Sequence, residues 1–200
     1  HQPAAHGPAL LLLHGAAGSH LGWPGPVRRL AGTRVVALDL PGHGRSDPPG
    51  RRAIAHYASA VRAFAAAIAL DQFIVVGHSL GGAVALSLAL EPPPGYCGLI
   101  LVGTSARLRV NDALLGGCLA SFDRTADFIV EYGFAVAPPL LRQKTRQAIL
   151  ATGAVTTFGD FLACSRFDAR TQLSGIDLPA LVICGTGDRL TPPRQAEALA

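Results

Sequence analysis

Residues Phe73 to Gly82 read FIVVGHSLGG, and an apolar helical pattern continues from Leu80 to Glu91 before Pro92-Pro93-Pro94. The run Phe73–Gly77 has the length and β-branched content of a buried strand, and the triple proline ends the helix that follows. Ser79 therefore stands on a sharp strand-to-helix turn, with the small residues Gly77 and Gly81 two positions to either side. Such a turn holds the serine in a strained backbone conformation and lifts its hydroxyl above the sheet rim. The helix N-terminus behind it favours developing negative charge. The G-x-S-x-G spacing in this strand–turn–helix setting predicts Ser79 as a nucleophile.

Outward from this turn the same rhythm repeats. Ala9–His14 (ALLLLH), Arg34–Leu40 (RVVALDL), Gly98–Gly103 (GLILVG) and Leu178–Gly185 (LPALVICG) read as further strands, while Pro26–Ala31 and Ile54–Leu70 read as helices. Continuous apolar strands that alternate with helices predict an α/β fold, a mostly parallel sheet with helices on both faces. Right-handed crossovers put the strand C-termini on one rim, where ligands of such sheets bind. From residue 106 to 173 the rhythm breaks into helical patterns without a strand. This predicts a core of residues 1–105 and 174–200 with a helical cap, 106–173, inserted after the fourth visible strand. Six of the eight phenylalanines fall in the cap. Most are expected to form its core, with Phe128 and Phe134 candidates for an apolar pocket that Trp23 also borders.

Three other rim loops carry informative residues. His14-Gly15-Ala16-Ala17-Gly18-Ser19 ends the first strand, and small residues there can turn a backbone N–H toward the nucleophile. An oxyanion hole needs two such donors, and the N–H groups of Ala16 and Leu80 are the candidates. His14 precedes that loop at a strand end and is expected to be structural. Asp39 to Asp47 (DLPGHGRSD) follows the second strand, and its Pro and Gly serve backbone geometry, so neither Asp39 nor His43 is given a catalytic role. Gly185-Thr186-Gly187-Asp188 follows the last strand and places a carboxylate at the rim, where it can orient an imidazole.

Together these four motifs resemble the α/β-hydrolase fold superfamily, specifically its cap-bearing serine esterase and lactonase-like branch, from about Ala9 onward. The resemblance implies Ser79 as nucleophile, Asp188 as triad acid, Ala16 and Leu80 as oxyanion donors, and no cofactor or metal. It implies hydrolysis of a carboxylic ester, thioester or lactone through an acyl-enzyme. The same scaffold also serves carbon–carbon bond hydrolysis, perhydrolysis and cofactor-free oxygenation, and it includes non-catalytic ligand-binding relatives. A serine at the elbow counts against dehalogenase and epoxide-hydrolase chemistry.

One element of the pattern is missing. The family order is nucleophile, acid, then histidine. All seven histidines (His1, His6, His14, His20, His43, His56 and His78) precede Ser79, and only 12 residues follow Asp188. A histidine loop should come roughly 25 residues after the acid. The family's opening antiparallel strands are also missing before Pro8 and no Met begins the chain, so the sequence is expected to be cut at both ends, and residues 1–200 alone to be nearly inert, since a serine hydroxyl needs a base.

Composition narrows the field further. The chain is half hydrophobic and 15% charged, with a net charge of +4. The basic residues are scattered and match no nucleic-acid-binding motif, so nucleic acid is not an expected partner. A small, largely apolar molecule is the expected substrate. Cys97, Cys118, Cys164 and Cys184 form no C-x-x-C pair, which argues against zinc or redox chemistry, and Cys97 and Cys184 are expected to act as small buried hydrophobes. No apolar run is long enough to span a membrane, and a cytoplasmic location is the default expectation. Oligomeric state is not legible.

Overall fold

The computed structural model describes residues 7–199. Five parallel strands, β1 (Ala9–Leu13), β2 (Val35–Leu38), β3 (Phe73–His78), β4 (Tyr96–Val102) and β5 (Ala180–Ile183), form one sheet in the order β2-β1-β3-β4-β5. Helix α1 (Gly25–Arg28) joins β1 to β2, α2 (Ile54–Ala67) carries the chain past β1 to β3, and α3 (Leu80–Leu90) joins β3 to β4. The chain thus runs one way from β1 and then the other, making the β1/β3 boundary the topological switch point. Leu13 pairs with Gly77 across that boundary, so the ends of β1 and β3 are level.

The inner strands are covered on both faces, and their residues are apolar without alternation. Leu11, Leu12 and Leu13 are completely buried, as is Val75. Helix α3 is buried nearly all round: Leu80, Val84 and Leu88 pack with Gly81, Ala85 and Ala89, which explains its lack of a polar face. Each buried leucine contributes roughly 1.5–3 kcal/mol. At the far edge, Leu181 and Ile183 of β5 remain exposed.

Four helices lie between β4 and β5: α4 (Asp112–Ala120), α5 (Phe122–Gly133), α6 (Pro139–Thr152) and α7 (Ala154–Ser165). The Asn111 side chain caps α4 by accepting from Ala113 N–H at 2.7 Å. A short helix, α8 (Pro193–Glu197), follows β5. No single helix among the described residues is long and apolar enough to cross a membrane.

Several expectations need correction. The helix expected over 26–31 is a single turn that ends at Arg28. Strand β5 spans only four residues between Pro179 and Cys184. The phenylalanines of 106–173 do not form a buried aromatic core. The aliphatic residues Ala17, Ala126, Val130 and Ile149 form the buried cluster there instead, with Phe122 and Phe134 packed at its margin, while Phe167 packs against the main core. Cys97 is exposed rather than buried. Tyr96 pairs with Phe73 and Gly98 with Ile74, so Cys97 is the extra residue of a bulge and is turned out of the core. All four cysteines are free.

Candidate active site

Ser79 is the first point where sequence and backbone meet. It sits between β3 and α3 at φ 51, ψ −115, a conformation costly for any residue with a side chain. The surrounding chain tolerates this only because it is bare. A methyl on Gly77 would strike Gly81 O, and one on Gly81 would strike Leu13 O at the end of β1. The strained peptide is held from β4: Ser79 N–H donates to Val102 O at 3.0 Å, and Thr104 Oγ1 donates to Ser79 O at 2.8 Å. Ser79 is half-buried, so its side chain reaches the surface of the rim.

The loop after β1 lies directly against it. A methyl on Gly15 would stand 3.3 Å from Ser79 Cβ. Gly15 to Gly18 form a tight turn closed by Gly18 N–H donating to Gly15 O at 3.1 Å, with Ala17 at φ 55. Leu80 N–H opens α3, where no intrahelical acceptor exists. Among the described residues neither Leu80 N–H nor Ala16 N–H is bonded to another group. Two uncommitted donors are thus present, one next to the serine in the chain and one in the loop packed against it.

Asp188 lies across the rim, beyond β4. Its Oδ1 accepts from Leu190 N–H at 2.9 Å and Thr191 N–H at 2.7 Å, and its Oδ2 accepts from Thr191 Oγ1 at 2.8 Å. The side chain thus caps its own turn. A carboxylate has about four lone-pair sites, so one remains. A methyl on Gly103 would lie 3.3 Å from Asp188 Oδ2 and 3.7 Å from His78 Cδ2, placing the carboxylate near the elbow.

The described histidines are all otherwise placed. His78 has an exposed face and edges onto Trp23 at 6.5 Å between ring centroids. Protein packed round its ring lowers its pKa, while Asp188's charge pulls it up. His20 Nδ1 is bound to Asp39 at 2.9 Å, and His56 is exposed on α2. His14 donates from Nδ1 to Gly15 O at 2.8 Å, and its Nε2 accepts from Leu40 N–H at 3.0 Å. Accepting there requires a neutral ring. Burial and the adjacent His43 charge hold its pKa down to about 4.

His43 is the opposite case. Its Nδ1 faces Pro41 O at 3.1 Å and its Nε2 faces Asp160 Oδ2 at 2.8 Å, so both nitrogens meet oxygens, an arrangement that favours a proton on each. Burial alone would depress its pKa, but the hydrogen bond and charge of Asp160 outweigh that and raise it. Among the described residues no imidazole reaches Ser79. His1 and His6 lie outside them.

Of the expected pocket residues, Trp23 comes nearest the elbow, through its contact with His78, and its buried Nε1 has no partner. Phe134 packs beside Ala17, while Phe128 stacks on Tyr132 at 4.2 Å and is exposed. A groove of about 630 Å³ lies elsewhere, lined by Ser105, Arg107, Arg109, Arg170 and Arg194 and by neither Ser79 nor Asp188. Sequence reasoning missed Asp160. Nothing in its local sequence distinguishes it from an exposed helical aspartate.

A strained serine at the switch point of a parallel α/β sheet, with free amides beside it, is the architecture of one fold class, and residues 8–152 match the family model for the alpha/beta hydrolase fold. The chain belongs to that family. A 2-succinyl-6-hydroxy-2,4-cyclohexadiene-1-carboxylate synthase of Salmonella paratyphi B is 31% identical over 94% of this chain and 81% of its own. An uncharacterized protein of Mycobacterium tuberculosis is 41% identical over 101 residues. That match spans 50% of this chain and 30% of the relative. Among solved structures, a hydrolase from Pseudomonas aeruginosa superposes with TM-score 0.88 at 29% identity, covering 98% of this chain and 78% of its own. The enol-lactonase of Burkholderia xenovorans shares the fold, with TM-score 0.90 at 24% identity over 98% of this chain and 79% of its own.

Proposed function

We propose that this protein is a serine hydrolase that transfers an acyl group from a carboxylic ester, thioester or lactone to water. The observation that carries the reading is Ser79 at φ 51 on the β3–α3 turn, beside two unbonded amides. In this reaction Ser79 Oγ attacks the carbonyl carbon while a base removes its proton. The N–H groups of Leu80 and Ala16 hold the oxygen as it becomes negative, and collapse expels the alcohol or thiol. Water then cleaves the acyl-serine by the same route. Asp188, with one lone-pair site unused, orients the histidine base, and none of the described histidines is placed for that role. Trp23 borders the bound acyl group. No cofactor is required, and the substrate is small and largely apolar.

A second reading rests on the synthase relative, whose name gives a succinyl-hydroxycyclohexadiene carboxylate as the product of a synthase rather than a hydrolysed ester. The fold's serine chemistry also serves such reactions, and the elbow does not separate them.

Reaction with a fluorophosphonate probe tests the proposal. The full-length gene product should be labelled at Ser79 and hydrolyse aryl esters or lactones, and Ser79→Ala should lose both. Ester turnover that survives in Ser79→Ala would exclude this nucleophile.

A further inference from the structure

The oxyanion loop is held by residues it does not meet in sequence. Ala17 is one of three non-glycine described residues with positive φ, at 55. That conformation costs an alanine about 1 kcal/mol or more and persists only where neighbours impose it. Here both of its backbone polar groups are bound by the helical insertion. Its N–H donates to Asp160 Oδ2 of α7 at 2.8 Å, and its C=O accepts from Thr152 Oγ1 at the end of α6 at 3.1 Å. Its side chain is buried with Ala126, Val130 and Ile149 of the same insertion.

Asp160 has no accessible surface, so its charge must be met within the protein. It is met three times: by Ala17 N–H, by the His43 imidazolium at 2.8 Å, and by Tyr57 OH at 2.6 Å to Oδ1. His43 comes from the loop after β2 and Tyr57 from α2. One carboxylate thereby ties three parts of the core to α7, and one of them is the turn that carries Ala16.

We propose that Asp160 is a positioning residue for the oxyanion hole. With Thr152 it clamps the two peptide groups of Ala17 and so aims the preceding N–H, that of Ala16, at the carbonyl oxygen of a substrate on Ser79. The proposal rests on the acyl-transfer reading above. It makes the insertion part of the catalytic framework rather than a cover alone. The clamp acts on the developing oxyanion and not on ground-state binding, so its loss should appear in kcat and leave KM nearly alone.

The test compares Asp160→Asn and Thr152→Val with wild-type full-length protein. Asp160→Asn is expected to lower kcat about 10–100-fold with KM changed less than about threefold, a part of the loss from removing an oxyanion donor outright. Thr152→Val, a near-isosteric change at a half-buried site, should lower kcat by a smaller factor. Cys164→Ala, buried one turn along α7 in the main core, is the control that lowers stability without lowering kcat. Amide hydrogen exchange read at Ala17 should quicken in both clamp variants, whether or not the protein is active. Unchanged kcat in both variants, or a kcat that follows stability in the control as well, would overturn the proposal, as would unaltered Ala17 exchange in a folded Asp160→Asn. If Ser79→Ala kept full turnover, the acyl-transfer reading would fail while the exchange at Ala17 still reported on the clamp.

Discussion

At Ser79 a single residue carries backbone strain that its neighbours must accommodate. Gly81 accommodates it by lacking a side chain, since a methyl there meets Leu13 O and His14 O, which belong to the immovable end of the sheet. Gly81→Ala should therefore destabilise the protein by about 1–3 kcal/mol, read as a lowered urea midpoint. Gly116 in α4 is the contrast, with nothing within 4 Å of the added carbon. Gly116→Ala should stabilise by up to about 1 kcal/mol, because alanine is the better helix former. Ser79 and its spacing were legible in sequence because the elbow is built from adjacent residues. Trp23 was legible only as a neighbour of the oxyanion loop. Its approach to His78 depends on how two loops fold together.

The elements of the insertion divide sharply between packing and charge. Arg146 on α6 reaches Asp127 and Asp123 on α5, but Arg146 is only half-buried and both carboxylates are open to water, where ion pairs gain little. Ile149, one turn further along α6, is 3% exposed and packs with Ala17, Ala126 and Val130. Ile149→Ala is expected to cost about 2–4 kcal/mol, and Arg146→Ala to leave the thermal midpoint nearly unmoved. Equal effects from the two would contradict this division. The loop that carries Asp188 is tied to the same layer: Arg189 lies 4.9 Å from the Tyr132 ring and donates to Glu131 O at 3.0 Å. The core strands could be read from their apolar runs. The insertion's packing could not, because the many phenylalanines suggested an aromatic core where aliphatic residues hold the centre.

Over the whole molecule, two buried histidines 4.8 Å apart have their pKa values moved in opposite directions, and this makes the stability of the fold depend on pH. His14 is neutral when folded, with a pKa near 4 against 6.5 unfolded. Its stabilising contribution is present above pH 6.5 and is lost as pH falls toward 4, by roughly 3 kcal/mol at most. His43 is raised above 6.5 when folded. Its contribution is present below pH 6.5 and is lost as pH rises through the folded value. The ring faces Asp160, Pro41 O, His14 and Tyr57. Stability should thus peak near neutrality. Urea midpoints measured from pH 4 to 9 would show this, with the alkaline decline absent in His43→Gln. A flat profile would remove the buried imidazolium from the account.

The sequence by itself determined the α/β class, the strand-by-strand rhythm, and the serine at its sharpest turn, since each is written in residues a few positions apart. Tertiary structure alone decided which way the strands run from β1, which way each buried histidine's pKa moves, and what holds the loop after β1. Asp160 meets Tyr57, His43 and Ala17 across 103, 117 and 143 residues. A charge becomes meaningful at such separations only when folding strips its water and leaves those partners in place of it.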